Sequence, residues 1–74
     1  MWYRINDELI NLIRVVDIFK SGEKELVFTL DITAAGGGES YYAKMAETRI
    51  KFANASKRDE CFNKLIEILE AKTI

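Results

Sequence analysis

The sequence has no histidine, a single cysteine and no excess of charge of either sign. Each absence removes a class of function. Histidine is the commonest general acid, general base and metal ligand near neutral pH, so its absence leaves such chemistry to carboxylates and lysines. Cys61, standing alone, can form neither an intrachain disulfide nor a thiolate cage for structural zinc. Eleven basic residues against 12 acidic ones give a formal net charge of -1. A nucleic-acid binder usually presents a basic excess to phosphates, so charge argues against that partner. No window approaches the roughly 20 apolar residues that span a bilayer, and the N-terminus carries no basic segment followed by an unbroken apolar run. The chain is therefore expected to be cytoplasmic and soluble, with no cofactor, no metal and no membrane partner.

What the 74 residues do contain is apolar: 49% are hydrophobic and 11% aromatic, far from the disordered composition class. They form one domain, residues 1–74. A chain of this length draws only about 3 to 5 kcal/mol of net stability from its core. With no disulfide or metal to add to it, self-association is the expected reinforcement.

Three of the four glycines fall together in "ITAAGGGESYY", Ile32 to Tyr42. A phosphate-binding loop needs a helix directly after the glycines to supply oriented N–H groups, and usually a Lys-Ser or Lys-Thr pair. "GGGESYYAKM" has neither and reads as the connection between two strands. The first of these, "LVFTLDI", puts Leu26, Phe28, Leu30 and Ile32 on one face and Val27, Thr29 and Asp31 on the other. In the second, "RIKFA", Ile50 and Phe52 oppose Arg49 and Lys51.

At the C-terminus, "SKRDECFNKLIEILEAK" predicts a helix from Ser56 to about Lys72. Ser56 is its expected N-cap, with Asp59 three residues on. Cys61, Phe62, Leu65, Ile68 and Leu69 make the expected buried stripe, and Arg58, Lys64, Glu67 and Glu70 fall mainly on the wet side. Residues 8–20 admit two readings. Leu9, Leu12, Ile13, Val16 and Phe19 fit a helix, but Ile10, Ile13, Val15, Val16 and Ile18 are β-branched and favour strands. "RINDELI" supports the latter as strand, Asn-Asp turn, strand.

"LINLIRVVDI", "ELVFTLDI" and "TRIKFANASKRDECFNKLIEIL" together resemble small bacterial and phage proteins with a pleckstrin-homology-like fold. The resemblance spans nearly the whole chain and rests on apolar spacing, "INL" at Ile10–Leu12 and "SKRD" at Ser56–Asp59. It implies an α+β domain: a curved antiparallel sheet of about five strands with one C-terminal helix. It brings no catalytic residues with it.

Asp17 and Asp31 lie within apolar strands and Cys61 sits beside Phe62, so none marks out a catalytic pair. More suggestive are the aromatic pairs Trp2–Tyr3 and Tyr41–Tyr42. Alternation along a strand exposes one ring of each pair, and exposed aromatics contribute disproportionately to contacts. With Lys44, Arg49 and Lys51 they form the candidate interaction surface. The sequence thus points to a non-enzymatic protein-interaction module that self-associates. The alternative is a phage or mobile-element inhibitor of a host defence system, binding a host protein or sequestering a small nucleotide signal.

Overall fold

The structure is a computed structural model that describes residues 1–31 and 46–74. The first strand, β1 (Trp2–Ile5), turns through Asn6 and Asp7 into β2 (Glu8–Asn11), with Ile5 opposite Glu8. Asn6 takes a left-handed φ of 54°, a conformation that asparagine tolerates better than most residues and that tight hairpins require. A 3-10 turn, Leu12–Arg14, follows. Its cap is Asn11, whose side-chain oxygen accepts from the Ile13 N–H at 3.2 Å.

β3 (Val15–Ser21), β4 (Glu25–Leu30) and β5 (Ala46–Lys51) form an antiparallel sheet in that order. Residues 8–20 are therefore strand, 3-10 turn and strand, as their β-branched side chains favour. The fold is α+β, with five antiparallel strands and a C-terminal helix among the described residues. Among the described residues the strands divide into a two-stranded sheet, β1–β2, and the three-stranded sheet.

The core follows from the pleat. Leu26 and Phe28 of β4 and Ile50 of β5 point to one face, where they meet Ile5 and Ile10 of the hairpin and Leu65 of the helix. Val27 lies on the opposite face, expected to be the wetter one, yet it is as fully buried as Leu26 and Phe28, each at 0% exposure. β4 is the central strand, so Phe19 on one side and Arg49 on the other stand in register with Val27. An apolar stem of arginine can cover a neighbour while its charge stays wet.

The helix α1 runs Ala55–Leu69. Its N-cap is Asn54 rather than Ser56: the Asn54 side chain accepts from the Lys57 N–H at 2.9 Å. Both residue types cap well, and Asn54 is the one with extended backbone at the helix mouth. Asp59 consequently falls beyond the first turn, where capping has no use for it. The helix ends at Leu69, three residues before Lys72, and is capped by Glu70, whose left-handed backbone donates to the Glu67 and Ile66 carbonyls.

Of the expected stripe, Leu65 is buried at 4% exposure, and Phe62 and Cys61 pack partly against the core, but Leu69 is 48% exposed and Ile68 is exposed as well. Among the described residues the three-stranded sheet ends at β3 and leaves the last turn open. Leu65→Ala is expected to cost about 2 to 5 kcal/mol in chemical denaturation, the range for a buried leucine. Leu69→Ala should cost well under half of that, and equal losses at the two positions would contradict this packing.

Candidate interaction surface

Of the aromatic and basic residues singled out in the sequence, Trp2, Tyr3, Arg49 and Lys51 lie among the described residues. Trp2 is 65% exposed and Tyr3 half-buried, the split that alternation requires. Trp2 stands at the end of the hairpin opposite Asn6, and it is Asn6 that reaches Lys51, donating to its carbonyl at 3.3 Å. Arg49 is not a free cation. It donates to Glu47 at 2.9 Å and to Glu25 at 3.4 Å on the outer face of the sheet. Tyr41, Tyr42 and Lys44, and the glycine run, lie outside the described residues.

A different surface is assembled by β3 and α1. Among the described residues β3 is an edge strand, paired on one side with β4. Its register shifts between Val15 and Asp17; such a bulge bends the strand and re-aims a side chain. Val16 emerges 55% exposed. Across from it lie Phe62, Ile66 and Leu69 on one flank of the helix, and between strand and helix runs a groove of about 230 Å³ with Leu65 in its lining and Asp17 as its one charged residue. The residues of this groove were half legible. Leu65, Ile66, Ile68 and Leu69 give the last helical turns more apolar surface than one small sheet can bury, which is the signal that could have pointed here.

A charged pair lies beside Phe62, one of the residues that line the groove. Lys20 reaches Asp59 at 3.0 Å and lies 5.0 Å above the Phe62 ring. Lys20, and after it Arg58, hold the Asp59 carboxyl below its ordinary range by hydrogen bonding to the charged form. A depressed folded-state pKa contributes stability above the unfolded value that is lost as pH falls through the folded one. In a carboxyl NMR titration Asp59 should therefore show a midpoint below that of an unperturbed aspartate, and Lys20→Gln should move it upward. An unchanged midpoint in the variant would remove Lys20 as the cause.

A second cleft, about 400 Å³, opens between the β1–β2 turn and the first half of α1, where Arg4, Lys57, Glu60 and Lys64 surround Cys61. Burial pushes the Cys61 thiol up from its ordinary value and outweighs the opposing pull of Lys64. This is the behaviour of a packing thiol rather than a nucleophile. Arg4 is engaged with the Asn6 carbonyl at 2.9 Å. Among the described residues no group of three or more Cys, Asp or Glu side chains is placed to hold a metal ion, and no helix is long and apolar enough to cross a membrane.

No family model, curated protein or solved structure matches this chain. The functional reading therefore rests on the geometry of its surfaces. Among the described residues, the groove beside β3 sets the backbone of an edge strand next to exposed apolar side chains.

Proposed function

We propose that this protein is a non-enzymatic interaction domain that self-associates, and that its contact face is the groove between β3 and α1. The observation that carries this reading is the juxtaposition of an edge strand with the exposed flank formed by Val16, Ile66 and Leu69. An edge strand offers unpaired N–H and C=O groups to an incoming strand, and an apolar pocket beside it gives that strand's side chains somewhere to pack. The proposed fold family is the pleckstrin-homology-like one, supported by the antiparallel strands and by the capped helix that packs on the sheet through Leu65.

Light scattering coupled to size exclusion, over a hundredfold range of concentration, tests the reading. The wild-type chain should return at least twice its 8.5 kDa mass. The Val16→Lys, Ile66→Lys double variant, altered only at exposed positions, should return the monomer mass with an unchanged circular dichroism spectrum. Unimpaired association of a folded double variant would place the contact elsewhere, and a wild type that stays monomeric throughout would overturn self-association.

A further inference from the structure

Building on that reading, we infer that the occupant of the groove is a second copy of this chain, docked by antiparallel pairing of β3 with β3 about a two-fold axis at Phe19, so that the two three-stranded sheets join into one of six. The choice of edge comes from charge. β5, the other edge of the sheet among the described residues, carries Glu47, Arg49 and Lys51, its arginine is already held by Glu25 and Glu47, and its last carbonyl accepts from Asn6. β3 carries Val15, Val16, Ile18 and Phe19 with two charges, Asp17 and Lys20.

Those two charges select the register. A two-fold axis normal to the sheet preserves its faces, so one residue must oppose its own copy at the axis, and residues that oppose each other share a face. Centring on Asp17 or on Lys20 sets like charges directly opposite, which is destabilising. Centring on Ile18 leaves the two Asp17 carboxylates diagonal to one another, about 7 to 8 Å apart, and no ion pair to Asp17 is formed among the described residues.

Centring on Phe19 removes that conflict. Asp17 then opposes Ser21, a hydroxyl donor for its carboxylate, and Ile18 opposes Lys20. The Lys20 ammoniums become the diagonal pair, but each brings its own counter-ion, Asp59 at 3.0 Å. Phe19, 45% exposed on the outer face, meets its own copy, an aromatic pair of the kind that strengthens cross-strand contacts. On the helix face the added strand lies along the open side of the groove, within reach of Ile66 and Leu69.

Cysteine cross-linking decides the matter. Directly opposed residues of antiparallel strands have Cα atoms about 4.5 to 5.5 Å apart, within disulfide reach. In a Cys61→Ala background, Phe19→Cys should form a disulfide dimer in a glutathione buffer at least tenfold faster than Glu47→Cys on the other edge. Because Phe19→Cys also removes a ring that covers Val27, a second measurement uses positions outside the core, exposed Asp17 and half-buried Ser21: Asp17→Cys chains mixed with Ser21→Cys chains should form the mixed disulfide in preference to either homodimer. Rapid cross-linking in both assays supports the two-fold at Phe19. Slow cross-linking in both, with a groove-dependent dimer still seen by light scattering, overturns this arrangement while leaving the interaction reading in place. A chain that is monomeric by light scattering overturns both.

Discussion

Replacing Phe28 by alanine is expected to abolish cooperative folding. The side chain is fully buried at the middle of the central strand, in register with Ile18 and Thr48 and in one cluster with Ile5, Ile10 and Leu65. Truncation of a buried phenylalanine costs about 3 to 5 kcal/mol, the lost transfer energy plus the cavity left behind. That is the same size as the roughly 3 to 5 kcal/mol a core of this scale supplies. The variant should show no sigmoidal urea transition and collapsed amide dispersion in NMR, while Phe28→Leu, which keeps most of the volume, should retain both. A Phe28→Ala chain that unfolds cooperatively within about 1 kcal/mol of wild type would mean that the core is not centred on β4.

The second large effect is expected at Arg58. The wet position forecast by the helical pattern is wrong: Arg58 is 7% exposed and is the one buried charged residue among those described. Its guanidinium donates to the Glu25 carbonyl at 3.2 Å, to the Gly22 carbonyl at 3.5 Å and to Asp59 at 2.7 Å. It thereby ties the first turn of α1 to the β3–β4 turn, where Gly22 takes a left-handed φ of 59°. Hydrogen bonds to charged groups contribute about 1.5 to 3 kcal/mol each when well formed. Arg58→Ala removes them together with a packed stem, and we expect a loss of roughly 2 to 4 kcal/mol.

Arg58→Lys should recover less than half of that loss, because a point ammonium cannot reproduce the fork that serves two carbonyls and a carboxylate. Urea denaturation monitored by circular dichroism measures both variants. A lysine variant as stable as wild type would show that charge alone, and not the geometry of the fork, holds the turn.

Much of the architecture was legible from local pattern. The alternation of Leu26, Phe28 and Leu30, the opposition of Ile50 to Arg49 and Lys51, and the Asn6–Asp7 turn each depend on neighbours within a few residues, and each is realised in the structure. The helix was legible for the same reason, although its cap moved from Ser56 to Asn54, since two good capping residues two positions apart cannot be ranked without knowing where the chain leaves the sheet. The candidate surface was much less legible. Aromatic content drew attention to Trp2 and Tyr3, whereas the groove is built from Val16, Ile66 and Leu69, which are apolar residues of the kind expected inside.

Composition and period by themselves thus determined the alternating strands around Leu26–Leu30 and Ile50, a C-terminal amphipathic helix and the absence of an intrachain disulfide, while leaving residues 8–20 open between strand and helix. Three features were decided only by the tertiary structure. Val27 is buried because β4 became the middle strand, flanked by Phe19 and Arg49. Arg58 is buried because two carbonyls 33 and 36 residues away in the chain converge on it. The last turn of α1 stays open because, among the described residues, the sheet stops at β3. In each case the deciding neighbour is distant in sequence, and a helical or strand period records which face a residue shares but not what that face will meet.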